Sequence, residues 1–375
     1  MKTLTQLKTL YGQLTNNSQA TNLSFGQDLI NDEIRRISGE EDWPFIQKSS
    51  TAVTLLGVDF DTQTGNFTIG LTLSGATSGA TGVIVEISDS GNTGQLQLSD
   101  VNGTFVNNEI ITDSDIGSAT VNGSPSGVQF YDLPFDYDQL ISVTIQVGSN
   151  IYTPMEAPTR VFWDNLNITT YNSNYPEWYF VFNNQVGFWP TPSTADQTIT
   201  YSYDQLIKDL SIADYTTGTV SVNNVATDGG VTVTGSGTTW TVAMVGRWFK
   251  ITPSDSATAS GDGFWYQVAA VNSTTSLTLN KPYNGLAVSG GSYIIGQASF
   301  LPDPYQDMPV YWAAHIYYSS VQPDLQRANN YLGIYERMHK GLKEEYAQKT
   351  TSPRIRDNYL IRPLNGNLFP TNTGQ

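Results

Sequence analysis

The clearest pattern of apolar residues lies near the C-terminus and predicts a helical pair. From Leu325 to Tyr346 apolar residues recur every three or four positions, which places them on one face of a helix. A shorter stripe with the same spacing runs from Val310 to Val321. Pro323 separates the two stripes, and we expect it in the first turn of the second helix, with Asp324 beside it. Periodicity alone therefore favours a helical hairpin that packs as core.

The N-terminal residues predict two further helices. One stripe begins at Leu4 and repeats through Leu14, and after a polar gap a second runs from Phe25 to Ile37, with Gly39 as a stop. The aromatic segment Trp43 to Ile46 follows directly. We expect it to close the helix end onto the core.

Between these helical ends the pattern changes to short alternating strands. Two stretches rich in Gly, Ser and Thr predict small all-β modules, which we name module 1 (residues 55–127) and module 2 (residues 216–297). Residues 128–215 contain longer, aromatic-rich strands, with hairpin turns expected at 148–150 and at Asn183-Asn184. Thr120 to Gly127 is expected to be a loose hinge.

Helices at both ends with strands between them imply that the ends meet in one domain and that the modules are insertions. The predicted class is α+β, with a helical bundle from both termini, antiparallel β-hairpins and two inserted sandwich- or barrel-like domains. The predicted segments are 1–54 (N-terminal helices), 55–127 (module 1), 128–215 (aromatic-rich β part), 216–297 (module 2), 298–349 (C-terminal helical pair) and 350–375 (extended tail).

Composition excludes several kinds of chemistry. The 375 residues contain no cysteine, which rules out disulfides and thiolate catalysis, and only two histidines, His315 and His339, both in predicted helices. That argues against a histidine-based zinc site or triad. No long apolar run or signal-peptide h-region is present, so we expect a soluble protein that is not secreted by the general route.

Charge is distributed unevenly along the chain. The net charge is -16, and module 1 has eight acidic residues and no basic one. Residues 128–215 carry ten acidic and two basic residues, whereas residues 298–375 carry seven acidic and eight basic residues. Such a surface repels phosphate. Two interpretations stay open: acidic residues that serve solubility, or a surface that must not adhere to DNA.

Searches for reactive or ligand-binding motifs give weak candidates. The chain has no phosphate-binding loop of the Gly-x-x-x-x-Gly-Lys type. Asp59, Asp61, Asp255 and Asp262 could be calcium ligands, but the spaced ligand set is incomplete and solvated turns are favoured. The adjacent Glu40 and Glu41 could act as an acid/base pair, but a solvated helix end is favoured. Module 2 carries an aromatic set that could stack on sugars if exposed, although packing of its core is favoured: Trp240, Trp248, Trp265 and Tyr266.

Several segments, taken in order, resemble head-to-tail adaptor (connector, head-completion) proteins of tailed bacteriophages. The run from Tyr175 to Pro192, which leads to the strand Ile199–Tyr203, is the longest of them. Phe130 to Pro134, Leu301-Pro302 before the helical pair, and Asp42 to Phe45 fit the same family. The modules are similar to β repeats of virion proteins, and the segments that carry this likeness are Leu73–Gly82, Val101–Phe105, Thr232–Trp240, Val245–Phe249 and Gly261–Tyr266.

The resemblance implies a homo-oligomeric ring, usually dodecameric, beneath the portal at the neck of a virion assembled in the host cytoplasm. The helices would form its wall, with Leu325, Leu332, Tyr335, Met338 and Leu342 packing the ring. The C-terminal tail would dock on the portal, through Arg354, Arg356, Tyr359, Leu360, Arg362, Leu368 and Phe369. A tail nozzle or tail-completion protein, and tail fibres, are further expected partners. DNA would pass without specific binding, and neither membrane, metal, cofactor nor enzymatic activity is expected.

Two rival functions belong to other classes. The tryptophans of module 2 suggest a tail or receptor-binding protein with carbohydrate-binding β modules. A polysaccharide depolymerase is the enzymatic alternative, and the sequence offers no residues that would carry its chemistry.

Overall fold

The computed structural model describes residues 1–169, 171–224 and 229–347. It combines helices with many antiparallel strands, so the predicted α+β class with small all-β domains is confirmed. The chain divides into two compact units. Unit 1 contains Met1–Phe45 and the described residues from Asp209 onward, and unit 2 contains Ile46–Lys208.

Five α-helices form in the described residues, four of them in unit 1. They are α1 (Leu4–Thr15), α2 (Ala20–Ser38), α3 (Arg160–Leu166), α4 (Met308–Ile316) and α5 (Leu325–Tyr346). A π-helical turn, Tyr317–Val321, continues α4. Two short 3-10 helices occur at Val242–Met244 and Asp303–Tyr305.

The predicted helical stripes form as expected, with one correction at Pro323. Ile30, Ile34 and Ile37 are buried on α2, and α1, α2 and α5 all pack on α4 within unit 1. Pro323 was expected in the first turn of the last helix. It lies before that helix instead, because Asp324 is the N-cap residue and its carboxylate accepts from the Arg327 backbone N–H at 3.1 Å.

The aromatic segment after α2 closes the helix end, as expected. Trp43 is fully buried, and its indole N–H donates to the Ile37 carbonyl at 2.6 Å. The Phe45 ring stacks on Trp43 at 5.4 Å and on Phe300 at 5.7 Å.

A glycine allows α1 and α2 to cross closely. A Cβ atom at Gly26 would lie 2.3 Å from ring atoms of Tyr11, which is fully buried. No side chain can occupy that position without displacing Tyr11.

Unit 2 contains fifteen strands in three sheets. They are β1 (Gln47–Val53), β2 (Leu56–Gly65), β3 (Thr72–Gly75), β4 (Thr81–Asp89), β5 (Gly94–Asn102), β6 (Ile110–Thr112), β7 (Ser118–Val121), β8 (Ser126–Gly127), β9 (Phe130–Asp132), β10 (Tyr137–Val147), β11 (Asn150–Tyr152), β12 (Met155–Glu156), β13 (Trp178–Phe182), β14 (Gln185–Trp189) and β15 (Thr198–Gln205). Two four-stranded sheets have the orders β1-β15-β10-β11 and β12-β13-β14-β9.

Module 1 forms the third sheet of unit 2, and six of its strands close on themselves. The order is β5-β4-β3-β6-β7-β2-β8, and an additional pairing of β5 with β2 closes the ring of strands. The prediction of a loose hinge at Thr120–Gly127 is wrong in part. Its first residues end β7, and Ser126–Gly127 form β8, which pairs with β2.

Both predicted hairpin turns of unit 2 are present. Asn183 and Asn184 have φ angles of 51° and 60° between β13 and β14, the left-handed geometry of a two-residue primed turn. In the other hairpin Val147 pairs with Asn150, so Gly148 and Ser149 alone make the turn.

Module 2 adds seven strands to unit 1: β16 (Thr219–Val222), β17 (Thr232–Ser236), β18 (Trp248–Ile251), β19 (Tyr266–Ser273), β20 (Ser276–Leu279), β21 (Val288–Gly291) and β22 (Tyr293–Gly296). Their order is β21-β16-β17-β20-β19-β18-β22. The alternation of apolar residues in module 2 predicts fourteen core residues, and twelve of them are buried: Val220, Val222, Val233, Trp240, Phe249, Ile251, Tyr266, Val268, Leu277, Leu279, Tyr293 and Ile295. Val231 is half-buried, and Phe264 is 66% exposed because it lies in the loop before β19 rather than in the strand.

Candidate interaction surfaces

The outer face of one sheet in unit 2 is covered by the short helix α3. On β13 the rings of Trp178, Phe180 and Phe182 project to this side, while Tyr179 faces the buried core. Phe162 of α3 lies 4.9 Å from the Trp178 ring, and Trp163 stacks on Phe180 at 5.8 Å. The helix is therefore fixed to the sheet by aromatic contacts.

A residue without a side chain makes room for this packing. At Gly187 of β14 a Cβ atom would lie 2.6 Å from the Phe130 ring and 2.8 Å from the Trp163 ring. The N-terminus of α3 is capped by Thr159, whose hydroxyl accepts from the Phe162 backbone N–H at 3.2 Å. Sheet and cap together position a helix of only two turns.

Apolar side chains around α3 remain in contact with solvent. We define the α3 platform as these exposed residues: Val161, Ile168, Tyr171 and Phe182, exposed by 69%, 79%, 57% and 52%. Single exposed apolar residues are ordinary, whereas several of them near one short helix offer a candidate protein-binding surface. The platform offers area for burial against another protein, and it carries no reactive group.

Charge sets limits on what unit 2 can bind. Residues 46–208 contain sixteen acidic and three basic residues. Two of the basic side chains are already engaged, Lys48 with Asp136 at 2.7 Å and Arg160 with Asp164 at 2.7 Å. The Arg160 guanidinium also lies 4.5 Å from the Phe182 ring centroid. Such a surface favours cationic or apolar partners over nucleic acid.

In unit 1, α5 uses part of its predicted stripe inside its own chain. Tyr335 and Leu342 are buried, Leu332 and Met338 are half-buried, and Leu325 is 77% exposed. Tyr335 and Leu342 therefore belong to the intramolecular core, and the packing of a ring through this helix stays a prediction. Leu325, Leu332 and Met338 keep surface for contact with another molecule.

A charged and aromatic strip joins α2 to α5. The Arg36 guanidinium bonds the buried Glu33 carboxylate at 2.7 and 2.8 Å and lies over the rings of Trp312 and Tyr335. The hydrogen bonds that Arg36 donates to the Glu33 carboxylate raise the pKa of Arg36, so its guanidinium stays charged.

A second group of ion pairs lies just after the C-terminus of α2 and joins it to α5. Glu40 accepts from His339 at 2.6 Å and from Lys343 at 2.7 Å. Burial acts to raise the pKa of the Glu40 carboxyl, but the bonds from Lys343 and His339 outweigh it and the pKa lies below its ordinary value. Lys343 also lies 3.3 Å from Glu41, so these adjacent acids serve helix packing.

The aromatic set of module 2 is divided between core and surface. Trp240 is 1% exposed and Tyr266 7% exposed, so a surface platform that uses these two rings is wrong. They are buried because the module fills its small core with large rings. Trp248 and Trp265 are partly exposed, and the Lys250 ammonium lies 4.9 Å from the Trp265 ring centroid.

The aspartates considered as calcium ligands are not part of a metal site in the described residues. Asp262 accepts bonds from the Phe264 N–H at 3.0 Å and from the Tyr266 hydroxyl, as a turn residue does. Within the described residues, no group of three or more His, Cys, Asp or Glu is arranged to hold a metal ion. No helix among them is long and apolar enough to cross a membrane. The expected portal-docking tail, 350–375 with all seven of its named residues, lies outside the described residues.

Sequence reasoning did not predict α3 or its platform. A seven-residue helix is too short for an apolar stripe to repeat. The one available signal was Thr159, a good N-cap residue, directly before an aromatic run.

Part of the chain matches a known protein family. A family model described as SU10 adaptor protein matches residues 115–231, a segment that contains α3 and its platform. No curated protein matches the chain. The match covers less than half of the chain, and it supports a structural, phage adaptor-type protein and a component of the virion.

Proposed function

We propose that this protein is a head-to-tail adaptor that forms a ring below the portal of a tailed phage and joins capsid to tail. The similarity of residues 115–231 to the SU10 adaptor family carries the proposal. The exposed apolar platform within that segment supports it, because such a surface needs a partner. The role is architectural and not enzymatic.

The ring would be closed by a head-to-tail contact that repeats around the axis, with twelve copies as the family resemblance implies. A contact between two unlike surfaces produces a closed ring when its rotation closes. The exposed side of α5, with Leu325, Leu332 and Met338, is the helical half of that contact. The α3 platform is a second surface available to a neighbouring copy or to a tail component.

Other partners follow from the same role. The tail, residues 350–375, would dock on the portal, and the tail nozzle or tail-completion protein, with tail fibres, would attach at the far side. DNA would pass without specific binding, since unit 2 presents a large excess of acidic residues, which repel phosphate, and few basic residues that would attract it. Its place is the virion neck after assembly in the host cytoplasm.

The mass of the purified full-length protein tests ring formation, with a matched pair of variants. Leu325 and Leu286 are both highly exposed leucines, at 77% and 80%, but only Leu325 lies on α5. We expect Leu325→Asp to shift the mass from ring to monomer and Leu286→Asp to leave the ring intact. A wild-type protein that stays monomeric at micromolar concentration would contradict the proposal.

Removal of the chain after Gln348 tests portal docking. The last helix, α5, ends at Tyr346, before the truncation, so the variant should give the circular dichroism spectrum of the intact protein. We expect it to lose co-sedimentation with portal rings. Unchanged docking would remove the tail from the proposal while leaving the ring untouched.

A further inference from the structure

Strand β1 has one free edge in the part of the chain that the structure describes. It pairs with β15 alone, in regular register from Gln47 opposite Asp204 to Val53 opposite Thr198. The bonds that flank this ladder are Gln205 N–H to the Ile46 carbonyl at 3.0 Å and Thr54 N–H to the Gln197 carbonyl at 2.9 Å. Even-numbered residues of β1 therefore bond to β15.

The odd-numbered residues face the other way. Hydrogen-bonding direction alternates along an antiparallel strand, so Ser49, Thr51 and Val53 direct their backbone N–H and C=O groups to the free edge. Proteins usually protect such edges with proline, a bulge or a free lysine. β1 has neither proline nor bulge, and Lys48 is held by Asp136 at 2.7 Å. The edge is therefore open to an additional strand.

A groove of about 520 Å³ begins where β1 ends. Its apolar lining includes Val53 and Val85, exposed by 39% and 41%, together with Phe130. Its charged lining consists of Glu86 and Asp132, and no Lys or Arg of the described residues lines it. An occupant should be extended, partly apolar and cationic.

The chain itself contains a segment of this chemistry. Residues 354–362 lie between Pro353 and Pro363 and contain three arginines and one aspartate. They also contain Ile355, Tyr359 and Ile361, residues that favour strands and that would share one face of a strand with Asp357. Because proline cannot donate to a ladder, the two prolines limit pairing to this nine-residue run, close to the seven residues of β1.

We infer that residues 354–362 of one copy add as a strand to the free edge of β1 in the next copy of the ring and reach into its groove. The inference rests on the proposed ring, because the donor is a neighbouring copy. Main-chain bonds to Ser49, Thr51 and Val53 would hold the strand, and its arginines would meet Glu86 and Asp132. In this arrangement the five expected portal-docking residues within 354–362 would contact the neighbouring copy instead, and only Leu368 and Phe369, which lie beyond this run, would reach the portal.

Site-specific photocrosslinking of the full-length protein tests the inference. The photoreactive residue p-benzoylphenylalanine replaces Thr51 on the free edge or, as a control, Thr112. Both threonines are exposed, but Thr112 lies on β6, which is paired on both sides by β3 and β7. Rings are reassembled from equal amounts of 15N-labelled and unlabelled copies, and crosslinked peptides are identified by mass spectrometry.

We expect Thr51 crosslinks to peptides within residues 351–362, with half of them joining labelled to unlabelled copies, and no such crosslinks from Thr112. Three results would overturn the inference and leave the proposed ring standing. They are crosslinks only within single copies, crosslinks only to other segments, and the absence of crosslinks in rings of normal mass. A monomeric protein would overturn both.

Charge reversal in the donor segment adds a second readout. Replacement of Arg354, Arg356 and Arg362 by Glu should abolish the Thr51 crosslink, whereas Lys349→Glu, outside the proline-bounded run, should leave its yield unchanged. Equal yields from the two variants would contradict the role of the groove's acidic residues.

Discussion

Modules 1 and 2 are both seven-stranded and rich in Gly, Ser and Thr, yet they hold their loops by different chemistry. In module 1 buried carboxylates accept from backbone N–H groups. Glu109, 2% exposed, binds the backbone N–H groups of Thr77, Ser78 and Val106 at 3.1, 2.9 and 2.6 Å and the Ser78 hydroxyl at 2.9 Å. Asp113 binds Gly117 in the same way at 2.8 Å.

Module 2 uses aromatic side chains with polar ends. The Trp240 indole N–H donates to the Tyr293 hydroxyl at 3.0 Å, and that hydroxyl donates to the Thr217 carbonyl at 2.6 Å. The Tyr283 hydroxyl accepts from the Asp262 backbone N–H at 3.0 Å. In the part of module 2 that the structure describes, these loops are therefore held without a buried charged side chain.

The difference changes how the acidic composition should be interpreted. Module 1 has eight acidic residues and no basic one, which the sequence alone presents as a uniformly negative surface. Glu109 and Asp113 are buried acceptors, so part of that charge stabilises loops and is satisfied by backbone dipoles. The rest is available to repel DNA.

The largest effect on stability is expected from removal of the buried Trp240 side chain in module 2. Trp240→Ala removes a fully buried indole and should reduce the free energy of unfolding by about 3–5 kcal/mol. Hydrogen exchange followed by mass spectrometry should show faster exchange in module 2 peptides, with module 1 unchanged. Faster exchange in both modules would show that they unfold together. Trp265→Ala, a partly exposed ring, is the matched control and should cost less.

Loss of the buried carboxylate should come next. Glu109→Leu leaves four donors of module 1 without an acceptor and should destabilise the protein by about 3 kcal/mol. Chemical denaturation measures the effect, and the exposed Glu86→Gln provides the control, expected within about 0.5 kcal/mol of the parent. Equal effects from the two substitutions would refute the structural role of Glu109.

The modules should also respond to opposite extremes of pH. Burial acts to raise the pKa of the Glu109 carboxyl, but bonds from Ser78, Val106 and Thr77 outweigh it and lower the pKa. Its contribution to stability is therefore present above the unfolded pKa and is lost as pH falls through the folded pKa, which lies below the ordinary value of a glutamate. Burial, with the bond to Asp262, raises the pKa of Tyr266 to about 12. That contribution is present below the unfolded pKa of about 10 and is lost as pH rises through about 12.

Urea midpoints of the parent and single variants separate these two terms. The difference in urea midpoint between the parent and Glu109→Leu should shrink only at acidic pH. The urea midpoint of the parent relative to that of Tyr266→Phe should fall only at alkaline pH. Differences that stay constant across the pH range would contradict the assignment.

The smallest effect should come from a single hydroxyl. Tyr293→Phe keeps the ring but removes the bridge between Trp240 and Thr217, and should cost about 1 kcal/mol. Thermal denaturation can measure it against Tyr171→Phe, whose side chain is 57% exposed and should not change stability. A neutral Tyr293→Phe would mean that shape, not hydrogen bonding, holds module 2.

Sequence patterns predicted the elements whose signals repeat. The stripes of α1, α2 and α5 are long enough to define a face, and the alternation in module 2 identified Val233, Phe249 and Ile251 as core. The Asn183-Asn184 turn was evident because asparagine tolerates left-handed backbone geometry. The predicted division into six segments and the ring and portal contacts stay predictions.

Features that depend on long-range contacts were missed. Phe264 fits the alternation of Tyr266 and Val268 but falls outside the strand, so periodicity misplaced it. The helix α3 exists because Trp163 covers Gly187, a pairing across more than twenty residues that no local pattern reveals. The free edge of β1 depends likewise on sheet order, which a single strand cannot encode.

Electron microscopy of the purified full-length protein mixed with portal rings tests the central claim most directly. The account predicts closed rings of uniform diameter, stacked coaxially on one end of the portal. Monomers or open chains that leave the portal bare would contradict it.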